Sequence, residues 1–240
     1  MARTLLQLVQ DFSITQGIPK PTAVVSSTDE TVLQIWGLLN DEVMELGERA
    51  DWTWLRTKFT FTHANGTDYL ALALSSLAGY KRIIPQTLWN TTTNLPLNGP
   101  IPAAVWRQLI TLNAAGAMEN FRLYAGGLYI FPYIAAQSYS GEYQSTYAVL
   151  ASDNTTTKGT FTDDADTPRL PDRIVYAGLR WRWKAAKGQA YAEEMRTYEI
   201  MVAAEMNGEE APGELRMDNP DPDDRLVAPG LLIAAGNWNV

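Results

Sequence analysis

The sequence contains no cysteine and one histidine, His63. The first absence excludes a disulfide framework and thiolate metal sites, and it fits a protein made in a reducing cytosol. The second leaves any serine- or cysteine-hydrolase pairing only one base. That base stands beside an Asn65-Gly66 turn signal, so a turn position competes with a catalytic one. No GxxxxGK(S/T) loop is present to cradle phosphates, and no GxGxxG follows a strand pattern. No uninterrupted apolar run reaches transmembrane length. The opening MARTLLQLVQDF is interrupted by Gln7, Gln10 and Asp11, which predicts a helix and not a signal peptide. Positive charge is scarce: 19 Lys and Arg stand against 27 Asp and Glu, a formal charge of −8. Such a chain is poorly suited to gripping nucleic acid by counterion release. It could still surround DNA without gripping it.

What is present is apolar. Hydrophobic residues make up 46% of 240 positions, with 8 Trp and 11 Tyr, which rules out a disordered chain and supplies a sizeable core. Residues 2 to 16 read as a helix with Leu5, Leu8, Val9 and Phe12 on one face, stopped by Gly17 and Pro19. Ser27 and Glu30 have capping-box spacing. Val32, Ile35, Trp36, Leu39, Val43 and Leu46 then continue at helical steps to Arg49. Near Trp52 the period changes. Phe59 and Phe61 alternate with Lys58, Thr60 and Thr62, and Tyr69 to Leu74 reads as the returning strand of a hairpin. Lys81 to Asn94 is irregular. A helix is expected near 103–112 with Val105, Trp106, Leu109 and Ile110 buried. Phe121 to Phe131 reads as a hairpin turning at Gly126-Gly127. Tyr143, Ser145, Tyr147 and Val149 alternate in a longer strand, and Thr160 to Thr162 adds a short one.

Thr167 to Asn207 reads as two helices in tandem, opened by Pro168, Pro171 and Asp172. Ile174, Ala177, Gly178, Trp181 and Ala185 form one apolar face, with Val175, Leu179 and Ala186 beside it. A helix apolar on more than one side packs on more than one side. Gly188 separates a second helix bearing Tyr191, Met195, Tyr198, Val202 and Met206. Charge is segregated: Arg180, Lys184 and Lys187 on the first helix, Glu193, Glu194, Glu199 and Glu205 on the second. An ordinary hairpin with solvated faces accounts for this. So does a ring subunit that presents opposite signs to its two neighbours.

The last segment differs. Seven acidic and two basic residues fall between Glu209 and Arg225, and no charged side chain follows Arg225. Leu226, Val227, Leu231, Leu232, Ile233 and Trp238 make an apolar arm after a solvated linker. It either folds back on its own domain or orders on a partner protein. Asp163, Asp164 and Asp166 could hold Ca²⁺ or Mg²⁺ through oxygens, but the spacing is not that of an EF-hand, and a solvated turn leading into a helix explains them better. Glycosidase carboxylates can come from any two loops and find no local support.

The fold expected is α+β. Residues 1–52 and 164–208 build a helical bundle around a mostly β insertion, 53–163, of sandwich- or barrel-like character. Residues 209–240 form an extended arm.

The run FTDDADTPRLPDRIVYAGLRWRWKAAKGQAYAEEMRTYE, Phe161 to Glu199, resembles the C-terminal helical region of head-to-tail adaptor proteins of podovirus-like bacteriophages. The parts that carry the likeness are Asp164 to Thr167, Leu170-Pro171-Asp172-Arg173, the Trp181-Arg182-Trp183-Lys184 box, and Lys187-Gly188 followed by Tyr191-Ala192-Glu193. The opening TLLQLVQDF…STDETVLQIWGLLNDEVMEL, the segment Thr87 to Trp106 and the hairpin around Leu128 to Pro132 are also similar. The likeness runs in order over most of residues 1 to 207 and omits the tail.

The resemblance implies a structural virion protein without enzymatic activity. It would be a ring, usually of twelve copies, joining the portal protein to a tail nozzle or tail tube protein and extending the DNA channel. Such a ring sits at the head–tail junction of the virion and is assembled in the host cytoplasm. DNA would pass without specific binding, and neither membrane, metal nor cofactor is involved. Arg180, Arg182, Lys184, Lys187, Glu193, Glu194 and Glu199 are the expected inter-subunit charges, and Leu226 to Val240 the expected portal-binding arm. Two alternatives stand. One is a glycan-binding or hydrolytic tail protein using the β-rich region, with Trp89 and Tyr143 as its aromatic contacts. The other is a neck or scaffold protein of a long-tailed phage.

Overall fold

A computed structural model of the chain describes residues 3–63, 69–84, 86–113, 116, 118–134 and 136–209. The first helix, α1 (Leu5–Gln16), is set by Thr4: its hydroxyl accepts the Gln7 N–H, and the Gln7 side chain accepts the Thr4 N–H. Gly17, at a φ of +67° open mainly to glycine, ends it. Helix α2 (Glu30–Arg49) is capped by Asp29, whose carboxylate accepts the Thr31 N–H. The capping box expected from Ser27 and Glu30 is therefore replaced. Asp29 lies directly at the helix entrance, while Ser27, two residues earlier, accepts the Asp29 N–H.

The β elements follow as β1 (Arg56–Thr62), β2 (Leu70–Ala73), β3 (Tyr80–Ile83), β4 (Trp89–Asn90) and β5 (Leu95–Pro96). After α3 (Ala103–Leu112) come β6 (Asn120–Tyr124), β7 (Gly127–Phe131), β8 (Ser138–Ser145), β9 (Val149–Leu150), β10 (Thr157–Lys158) and β11 (Thr167–Pro168). Helices α4 (Asp172–Ala186) and α5 (Ala192–Glu209) close the described chain. The molecule is mixed α+β. Among the described residues the sheets are antiparallel, and none closes into a barrel.

Strand β8 organises the largest sheet. Along one edge it pairs with the whole of β1, Arg56 opposite Gln144 through Thr62 opposite Ser138. Along the other it pairs with β3 and β4, and β5 extends the sheet from β4. Phe61 stacks on Tyr139 at 5.1 Å, and Phe59 meets Tyr143 edge-on at 5.9 Å. These cross-strand aromatic pairs fix the register. A second sheet has the order β2-β7-β6, with β6 and β7 joined through Ala125-Gly126, both at positive φ as a type I′ turn requires. The hairpin expected between Phe59 and Leu74 does not form: β1 belongs to β8 and β2 to β7. Its Asn65-Gly66 turn lies outside the described residues. The strand expected at Thr160 to Thr162 is also absent, and β10 forms slightly earlier.

Two separate apolar clusters result. Helices α1, α2, α4 and α5 bury Phe12, Leu39, Leu179, Tyr198 and Val202 together with Trp52, Val149 and Phe161. The small sheet β10-β9-β11 therefore contributes to the helical cluster. The other cluster, with Phe59, Leu88, Phe121, Leu128, Ile130 and Tyr143, lies between the two larger sheets' residues. Helix α3 departs from expectation: Trp106 is its one buried residue. The ring sits edge-on to Tyr69 and Phe131, while Val105 is 42% and Leu112 74% exposed.

Candidate functional site

The charges predicted to face neighbouring subunits are mostly engaged within the chain. Arg182 donates from Nε to Glu42 Oε2 at 2.6 Å and also pairs with Glu45. Glu42 is fully buried, and its carboxyl fills the space over Gly178 that any Cβ would occupy. Burial pushes the Glu42 carboxyl above its ordinary range, opposed by the Arg182 hydrogen bond and the nearby Tyr198 hydroxyl. Glu42 Oε1 and the Tyr198 hydroxyl are both buried, and neither reaches hydrogen-bond geometry with a partner among the described residues. Burial also raises the Tyr198 phenol, with the Glu42 charge adding to it.

Around this centre, Lys184 pairs with Glu194, and that hydrogen bond holds the Glu194 carboxyl low. Glu199 is lowered in the same way by Arg49 on α2. Lys187 donates to Gln34 Oε1 at 2.7 Å and lies 4.4 Å from the Trp183 ring centroid. Glu193 contacts Arg196 at 3.9 Å on the exposed side of α5. Arg180 makes no ion pair among the described residues and lines a shallow cleft of about 290 Å³ with Arg173, Glu193 and Glu194. The proposed arm residues Leu226, Val227, Leu231, Leu232, Ile233 and Trp238 lie outside the described residues.

The acidic lead-in to α4 is a tie between segments. Asp164 accepts the N–H groups of Val24 and Val25, at 2.9 Å for the latter. Asp166 is buried. Burial alone would raise its carboxyl, but the N–H groups of Thr162 and Asp163 and the Lys158 ammonium hold it below the ordinary value. Among the described residues no group of three or more His, Asp or Glu converges as a metal site. His63 is buried, its ring nitrogens find no hydrogen-bond partner among the described residues, it lies 4.6 Å from the Tyr133 ring, and burial lowers its pKa.

The exposed surfaces of the described residues include two of opposite charge. One is a groove of about 650 Å³ between α3 and the β2-β7-β6 sheet, lined by Arg107, Arg122, Tyr69, Tyr124 and Tyr129. Among the described residues no carboxylate lines it and neither arginine has an ion-pair partner, while Arg122 stacks 4.9 Å from the Tyr124 centroid. Sequence reading missed this groove because its walls come from separate elements. The other surface is the outer side of α2, where Leu33 and Met44 are 38% and 43% exposed. Of the aromatic residues expected to contact glycans, Trp89 is exposed. Tyr143 is buried and donates to the Ala78 carbonyl, so it belongs to the core.

No protein-family description matches the chain, and no curated protein matches it. Among the described residues no helix is long and apolar enough to cross a membrane.

Proposed function

We propose that the chain is a structural virion protein, a head-to-tail adaptor that assembles as a ring between portal and tail and extends the DNA channel. The observation that carries this reading is the ordered resemblance over residues 1 to 207. The geometry supports it in one respect: the 161–199 segment behind the resemblance packs with the opening helices in one cluster, although Leu88, Leu97, Leu128 and Ile130 of its other segments lie in the second. Phe161 binds Asn40 and Trp36 through its backbone, Asp164 holds Val24 and Val25, Arg182 enters the Glu42 pair, and Trp183 packs edge-on to Phe12 at 5.6 Å. In this reading 1–52 and 164–208 form a helical bundle, 53–163 a sandwich-like insertion directed at a tail component, and 209–240 an arm. The negative net charge keeps DNA sliding instead of binding. The protein acts through portal, tail and sister subunits, without catalysis or cofactor.

Deleting Leu226 to Val240 and sedimenting the product with portal-bearing capsids of the parent phage tests the arm. Attachment should be lost, whereas attachment equal to that of the full chain contradicts the assignment. A second reading, a glycan-binding tail protein, is favoured by one observation: the Arg107–Arg122 groove presents tyrosine faces and guanidinium groups as an acidic sugar would require.

A further inference from the structure

Charge is divided along the chain in a way the overall −8 conceals. Residues 53–150 hold six Lys and Arg against three Asp and Glu, whereas residues 1–52 hold three against eight. The β portion is thus locally positive and the first helices strongly negative. Each carries a surface whose charges find no partner within the described residues. On the β portion this is the tyrosine-walled groove with Arg107 and Arg122. Tyr124, at its rim, is 59% exposed.

On α2 it is a single narrow stripe. At 3.6 residues per turn, Glu30, Leu33, Gly37, Asp41, Met44 and Glu48 fall within an arc of about 80°. Leu33 and Met44 are apolar and exposed, and Gly37 leaves the backbone open, with no atom near where a Cβ would stand. The Asp41 and Glu48 carboxylates make no ion pair among the described residues, unlike Glu45, which pairs with Arg182. The stripe therefore offers two apolar knobs flanked by carboxylates, and the groove offers aromatic faces flanked by guanidinium groups. Methionine against tyrosine and carboxylate against arginine are favourable contacts.

We propose that the groove between α3 and the β2-β7-β6 sheet receives the Leu33–Glu48 stripe of α2 from a second copy of this chain. The two surfaces differ, so the contact is head-to-tail and repeats from copy to copy, as a ring requires. This assignment rests on the ring reading above and moves the inter-subunit charges from α4 and α5, where they are engaged internally, to α2, Arg107 and Arg122.

Because the chain has no cysteine, disulfide trapping has no background. Full-length Ala104→Cys protein, marked at the groove, is mixed with full-length Met44→Cys protein, marked on the stripe, under mild oxidation. Both positions are exposed, and circular dichroism confirms that each variant folds. The mixed disulfide should form at least about tenfold faster than either self-disulfide, through the raised effective concentration in the encounter complex. Arg107→Glu with Arg122→Glu should abolish that preference, and Asp41→Arg with Glu48→Arg on the partner should restore it. Equal mixed and self rates, or a preference untouched by charge reversal, overturn the assignment. A chain carrying both cysteines separates this from the ring reading: a ladder of several chains supports both. Selective pairing that stops at two chains keeps the groove assignment and overturns the ring.

Discussion

Glu42 carries the heaviest electrostatic demand in the helical core. A carboxylate withdrawn from water costs several kcal/mol even after relaxation. Arg182 offsets this from α4, and Gly178 gives the carboxyl room. Gly178→Ala should therefore lower unfolding free energy by about 1–3 kcal/mol through overpacking. Arg182→Ala should lower it by about 3–5 kcal/mol by stranding a buried charge. Lys184→Ala, at a partly exposed pair, should cost clearly less than Arg182→Ala. Urea unfolding of the three variants checks the order, and a loss for Lys184→Ala as large as that for Arg182→Ala contradicts it. Part of this centre was legible in the sequence. Glu42 falls on the same helical register as Ile35, Leu39 and Leu46, and a carboxylate there calls for a partner. Which arginine answers was not legible, because it lies 140 residues away. The segregated charges of α4 and α5 show the same limit: a pattern along one helix does not reveal that Arg182 and Glu199 pair with α2 and Lys184 with α5 of the same chain.

At the scale of elements, local signals identified the helices well and the strand pairing poorly. The period of α2 and the break at Gly188 are local properties found where the pattern placed them, while the turn before β7 falls one residue earlier than expected, at Ala125-Gly126. Strand β1 pairs with β8, far along the chain, and nothing in its own alternation names that partner. Phe59, Phe61 and Tyr143 showed strand period, but their pairing with one another and with Tyr139 belongs to the folded sheet. Helix α3 shows the opposite failure. Its apolar composition suggested a wide buried face, whereas it is pinned by Trp106 alone. Trp106→Ala should accordingly loosen α3 and spare the helical core. Amide hydrogen exchange should accelerate in residues 103–112 and remain slow in α2 and α4. Equal acceleration in α2 and α4 would show that α3 is no independent unit.

For the whole molecule, the exposed side of α3, the basic groove and the acidic α2 stripe leave apolar and charged surface uncovered by the described residues. Large exposed apolar features mark interaction sites more often than free surface. A chain whose two uncovered faces are complementary and not identical is suited to heterologous assembly, which closes into a ring or grows into a filament. The groove could not be read from the sequence, since Tyr69, Arg107, Arg122 and Tyr124 share no spacing until α3 docks on the sheet. The resemblance to phage adaptors gives that surface its proposed purpose, and the intrachain pairing of most charges on α4 and α5 narrows where subunits can meet. The most direct test is electron microscopy of portal-bearing capsids from the parent phage, with and without the full-length chain. A rotationally symmetric ring of added density coaxial with the portal is the predicted result. Particles whose portal vertex is unchanged at saturating protein would contradict the adaptor assignment.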